Sequence, residues 1–189
     1  MKPTQSGIEQ RIAAHLKERR VAVGLSLAQL AERSGVSRAM ISKVERSAAS
    51  PTAALLGRLC NGLGVTLSAL IANAEQAESP LLRAKDQTTW RDPVTGLLRT
   101  MISPSLTNAG VEIVRVDLPP DASVKYDPQR YLSYDQHVVP IKGRLQVEMG
   151  EKGYDLGPWD CLLMQTNLPL RFHNKGPLSC RYLVMVRKT

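Results

Sequence analysis

Over roughly the first seventy residues the apolar positions recur at helical spacing, whereas beyond residue 80 they alternate with polar ones. Ile8, Ile12, Leu16 and Val23 make one stripe, which predicts a first helix ending at Gly24. Ser26 with Gln29 three residues later has the pattern of a capping box. It opens a short helix with Leu27, Leu30 and Ala31 turned inward. Gly35 breaks that helix, and Ser37 caps a third whose Ile41 and Val44 face the core. Ser50-Pro51 predicts a cap with proline at the first position of a fourth helix. Along it Leu55, Leu56, Leu59, Cys60 and Leu63 repeat as far as Gly64, and Leu67, Leu70 and Ile71 predict a short fifth helix.

The stretch AEQAESP is polar and predicts a linker over residues 74–80, between a helical domain over 1–73 and a second domain over 81–189. In the second domain the period changes to two. RLQVEM puts Leu145, Val147 and Met149 on one face and Arg144, Gln146 and Glu148 on the other. Turn signals recur at Pro119-Pro120, Lys142-Gly143, Gly150, Gly157-Pro158 and Lys175-Gly176-Pro177. Short strands at that interval predict an all-β barrel or sandwich, so the fold class is multidomain, α then β. No internal repeat or low-complexity tract interrupts either part.

Composition adds partners to this outline. A chain of 189 residues that is 43% hydrophobic can bury one sizeable core or two small ones. No run approaches the length of a membrane span and the N-terminus carries no apolar signal region, which predicts a cytoplasmic protein without membrane contact. Cys60, Cys161 and Cys180 are odd in number and form no CxxC pair, so buried reduced thiols are expected. The net charge of +8 is unevenly shared: ten basic against four acidic residues through Ala72, then fifteen against thirteen. A basic first third suits a polyanion-binding module, although a solvated face can be basic too.

The segment LAERSGVSRAMISKVE, residues 30–45, closely resembles the helix-turn-helix of the phage-repressor-like (XRE, or Cro/CI) family, and the resemblance extends over nearly all of residues 7–72. It implies a five-helix fold that binds double-stranded DNA, with Ala31 small where two helices approach, Gly35 at the tight turn and Val36 beneath it. The third helix then lies across the second with its N-terminal end free to enter a major groove. The DNA-binding set expected from this is Ser26, Ser37, Arg38, Ala39, Ser42 and Lys43, with base readers at Arg38, Ala39 and Lys43. Arg38 has paired donors for guanine O6 and N7, and Ala39 suits a thymine methyl. Arg20 and Glu45 match a family ion pair that ties the first helix to the end of the third. Ser47 stands where the family often has glycine.

Residues 81–189 resemble the cupin family, a double-stranded β-helix barrel, through Gly143 after VVPIK, the turn LGPWD, and LPLRFHN. The resemblance implies metal ligands at Gln136, near Gln129–Leu132 and at Leu170. None of these positions keeps a histidine or glutamate. Asn174, four after Leu170, matches the family and supports the register, whereas Trp159 replaces a turn glycine. His137 and His173 lie at odd offsets from the ligand positions, on the opposite strand face. No metal and no other cofactor is therefore expected.

A barrel without metal leaves two readings open: a packed dimerisation domain, or a pocket for a small organic effector. Parity puts Tyr134, Gln136, Val138, Leu170, Phe172 and Asn174 inward as the effector-facing set. The leading expectation is a transcription regulator, not an enzyme, binding a pseudo-palindromic operator as a homodimer. The alternatives are a cupin isomerase or dioxygenase with an appended DNA-binding domain, and an antitoxin-like regulator whose second domain binds another protein.

Overall fold

The computed structural model describes residues 5–71, 79–104, 110–131 and 134–188. Among these residues five α-helices come first: α1 (Gln5–Ala22), α2 (Leu27–Ser34), α3 (Arg38–Glu45), α4 (Ala53–Leu63) and α5 (Leu67–Ile71). Local chemistry sets their ends. The Ser26 hydroxyl accepts from the Gln29 amide while the Gln29 side chain accepts from the Ser26 amide, so two otherwise orphaned donors are satisfied at the start of α2. Gly35 ends α2 in the left-handed conformation, φ 64°. Ser37 caps α3 by accepting from the Met40 amide.

Two sequence expectations fail at this level. Val23 does not join the α1 stripe: α1 stops at Ala22, Val23 is 42% exposed, and Leu25 packs into the core in its place. The fourth helix also begins later than Ser50-Pro51 suggests. Thr52 is its N-cap, accepting from the Leu55 amide at 3.2 Å, while the Ser50 hydroxyl donates to Glu9 instead. Either hydroxyl could cap, and the proline between them holds Ser50 out of helical geometry.

Among the described residues ten strands follow: β1 (Thr89–Arg91), β2 (Leu98–Met101), β3 (Val111–Leu118), β4 (Ser123–Tyr126), β5 (Tyr134–Lys142), β6 (Leu145–Met149), β7 (Lys152–Leu156), β8 (Leu162–Met164), β9 (Leu170–His173) and β10 (Cys180–Lys188). They form two antiparallel sheets, ordered β1-β2-β3-β10-β5-β8 and β4-β9-β6-β7. The alternation read in β6 is realised, with Leu145, Val147 and Met149 buried. Val114, Val116 and Leu118 of β3 and Val184 and Val186 of β10 line the inner side of the larger sheet.

The helices rest on the barrel along α4 and α5, and buried apolar residues of both units form one continuous cluster. At the start of α4 the Ala53 amide donates to Asp92 Oδ2 at 2.5 Å. Asp92 Oδ1 accepts from the Val94 and Thr95 amides, so one carboxylate holds both the β1–β2 turn and a helix of the other unit. Further along, Asn61 donates to the Pro128 carbonyl and accepts from the amides of Arg130 and Tyr131. The Tyr126 ring lies so close to α4 at Gly57 that a Cβ there would be 2.9 Å from its Cδ1. Of the expected linker, residues 74–78 lie outside the described residues.

Candidate nucleic-acid interface and barrel cavity

The turn between α2 and α3 consists of Gly35, Val36 and Ser37, with Val36 buried beneath it. Ser26, Ser37, Arg38, Ala39 and Lys43 are exposed and Ser42 is half-buried, all on α2 and α3 or at their caps. Arg38 belongs to none of the ion pairs among the described residues. Its guanidinium is therefore available to a partner. The hydroxyls of Ser26 and Ser37 already accept within the chain, which fixes the start of each helix. Gln29 and Met40 are also exposed beside this set, and sequence reasoning passed over them. Met40 was legible as a large apolar residue off the Ile41–Val44 stripe of α3.

Beneath this surface Arg20 and Glu45 form a two-pronged pair, Nε to Oε1 at 2.6 Å and Nη2 to Oε2 at 2.8 Å. Arg20 Nη1 also donates to the Leu25 carbonyl, so α1, its exit turn and the last residue of α3 are fixed together. The Glu45 hydrogen bond holds the Arg20 guanidinium above its usual pKa, against the opposing effect of burial. Such a pair secures orientation more surely than stability.

The second feature is a cavity of about 60 Å³ where the barrel meets α4 and α5. Tyr134, Gln136, Leu170 and Phe172 line it as parity suggests. Val138 and Asn174 do not. Val138 is fully buried, and the Asn174 amide donates to the carbonyls of Leu118, Pro119 and Leu178 while its Oδ1 accepts from Gly176. Asn174 thus pins the loops at one end of the barrel. The lining that the sequence did not reveal comes from α4 and α5, chiefly Cys60 and Ser68, and from Arg99 on β2. Phe172 stacks on Tyr182 (5.8 Å between centroids) and meets Tyr126 edge-on (5.9 Å), so that wall is aromatic.

Burial pushes the Tyr134 phenol up to about 12 and the Cys60 thiol up to about 12, each opposed by the Arg99 charge, and both stay protonated at neutral pH. The donor set is thus amide, phenol, hydroxyl, thiol and guanidinium. It does not fit the divalent metal of the cupin resemblance, because a cation is repelled by Arg99 and carboxamides bind weakly beside imidazole or carboxylate. Gln129, in the stretch where ligands were sought, donates its backbone amide to Thr166, and Arg130 and Tyr131 dock on Asn61. Leu132 lies outside the described residues. No group of three His, Cys, Asp or Glu among the described residues could hold a metal ion. Of the thiols, Cys60 and Cys180 are buried, whereas Cys161 is exposed, contrary to expectation, because it precedes β8 at the end of a surface turn.

Fold and surface together define a helix-turn-helix domain carrying a cupin-like barrel. The comparisons agree, for residues 16–70 match the model of the helix-turn-helix family HTH_3. Over 66 residues the chain is 41% identical to the HTH-type transcriptional regulator SutR of Escherichia coli (strain K12), a match covering 35% of this chain and 37% of SutR. The chain thus matches little more than a third of that relative's length. An HTH_3 family transcriptional regulator from Vibrio cholerae superposes over 98% of this chain and 99% of its own, at TM-score 0.81 and 24% identity. The Fe(II) form of HppE has the same fold more loosely, at TM-score 0.50 and 17% identity over 95% of this chain and 98% of its own. Among the described residues, no helix is long and apolar enough to cross a membrane.

Proposed function

We propose that this protein is a sequence-specific, DNA-binding transcription regulator that works in the cytoplasm as a homodimer and whose barrel senses a small organic effector. The observation that carries the reading is the joint exposure of Ser37, Arg38, Ala39 and Lys43 on α3 and its N-cap, a helix that a half-buried ion pair ties to the rest of its domain. The basic excess of that domain attracts phosphates without regard to sequence. Arg38 and Ala39 then supply discrimination at base edges. SutR and the Vibrio cholerae protein are transcriptional regulators by name, which supports the same role here. The cavity supports sensing over catalysis: among the described residues its lining includes no Asp, Glu or His, and Tyr134 and Cys60 are held protonated, so these residues offer no general base.

Selection from random duplex DNA followed by footprinting tests the reading. A single pseudo-palindromic site should emerge. Arg38→Ala should cost roughly 1–3 kcal/mol of affinity for it and relax the preference at one base pair in each half-site. Binding of unrelated DNA should change far less. An Arg38→Ala protein that selects the same site with undiminished affinity would remove α3 from the reading surface.

A further inference from the structure

Sensing alone does not fix the chemistry of the ligand, but one charge on the cavity wall narrows it. Arg99 stands on the inner face of β2, where its ladder partners are Trp90 on β1 and Val116 on β3, and Val116 in turn faces Tyr182 on β10. All three partners are buried. Arg99 Nη2 donates to Ser68 Oγ at 3.2 Å, but its Nε is buried without an acceptor among the described residues. None of the ion pairs among those residues includes Arg99.

A half-buried cation outside every ion pair of the described residues and a buried Nε without an acceptor are both costly, and native proteins resolve nearly all such cases. Water can supply acceptors. An organic anion supplies acceptors and neutralises the charge as well. The rest of the wall suits the remainder of such a molecule: Tyr134 and Gln136 are polar and neutral, and Leu170 and Phe172 can cover an alkyl part. At about 60 Å³ the space admits about two waters, or one organic molecule of similar size.

The wall is also shared. Cys60 and Ser68 belong to the helical unit, and Arg99 and Gln136 to the barrel, so a molecule held there touches both. Resting on the sensing role above, we propose that the cavity binds a small organic oxyanion through Arg99. Because α4 and α5 wall the site, its occupancy shifts the DNA-reading helices against the barrel and changes operator affinity. Linkage makes the effect reciprocal, so operator DNA must change anion affinity by the same factor.

The test uses the full chain with acetate, propionate and methanesulfonate as probes, and acetamide and propionamide as neutral counterparts, at matched ionic strength. Trp159→Phe leaves Trp90, the ladder partner of Arg99, as the single tryptophan, and its fluorescence and thermal melting report binding. Expected are saturable responses to at least one anion, about tenfold or more tighter than to the matching amide. The same anion should shift operator affinity about fivefold or more. Arg99→Met should abolish the anion response and Arg99→Lys should restore part of it. If Arg99→Met does not fold, the anion-over-amide preference of the wild type and its weakening in Ser68→Ala decide the matter. Amides binding as tightly as anions, or an unweakened anion response in Arg99→Met, would overturn the proposal. Anion binding that leaves operator affinity unchanged would overturn the coupling. A response to uncharged compounds alone would remove the oxyanion and leave the sensing role standing, whereas silence from charged and uncharged compounds alike would remove both.

Discussion

Ser47 and Trp159 stand where the two resembled families usually have glycine, and both keep the left-handed backbone, at φ 55° and φ 72°. For an L-residue that conformation crowds Cβ against the following carbonyl and costs about 1–2 kcal/mol. Glycine avoids the crowding but loses more backbone entropy on folding, which returns part of the gain. Ser47→Gly and Trp159→Gly should therefore each raise stability by up to about 1 kcal/mol in urea unfolding. The hydrogen bonds at both sites run from backbone amides, Ser47 to the Val44 carbonyl and Trp159 to the Pro140 carbonyl, so glycine retains them. Trp159 is 75% exposed, and little packing is lost with its ring. Unfolding midpoints that stay put or fall at both sites would show that the strain is absorbed locally.

Among the elements, α4 carries the coupling between the two units. Its first amide is held by Asp92, a carboxylate 2% exposed that also fixes the Val94 and Thr95 amides. A carboxylate at a helix N-terminus interacts favourably with the dipole and makes charge-assisted bonds. Asp92→Asn keeps the shape but loses the charge and sets an amide donor among donors. It should lower stability by about 1–3 kcal/mol, with faster hydrogen exchange in the first turn of α4 than in α1. Equal protection in both helices would mean that Asp92 serves only its own turn. These long-range contacts also explain what the sequence could disclose. The helices were legible because caps such as Ser26 and Ser37 act within three residues. The alternation of β6 was legible because five residues suffice to display it. Strands β1 and β8, at three residues each, are too short to show a period, and the inward position of Arg99 on the four-residue β2 left no trace either. Asp92 and Ala53 are 39 residues apart, and no local pattern announces such a pair. That the ligand positions of the cupin resemblance hold no histidine or glutamate was legible residue by residue; the cavity was legible only through Tyr134, Gln136, Leu170 and Phe172, because the rest of its wall includes residues of the helical unit.

For the whole molecule, the outer face of the larger sheet bears on assembly. Met185 of β10 faces Ile113 of β3 on one side and His137 of β5 on the other, and His137 faces Leu163 of β8. In the next outward row Leu183 faces Val139. An antiparallel sheet with one face to solvent usually alternates to polar residues there. This one keeps Ile113, Val139, Leu183 and Met185 half-buried and Leu163 exposed. His137 and Arg115 interrupt these apolar positions, and an apolar cluster of that kind is a candidate interaction surface. On the proposed reading the expected occupant is a second copy of the chain, since one recognition helix contacts only a few base pairs and paired domains read half-sites about 34–36 Å apart, or a multiple of that. The wild-type protein should therefore sediment as a dimer and protect two such half-sites. Leu163→Glu places a charge on the apolar face at a position that is 56% exposed, where the fold of the single chain tolerates it. That variant should sediment as a folded monomer by circular dichroism and lose joint protection of the half-sites while keeping weak binding to one. A wild-type protein that is monomeric with and without operator would remove the dimer. A Leu163→Glu protein that still pairs would move the interface away from this sheet, and with it the geometry by which α3 of each copy reaches its half-site.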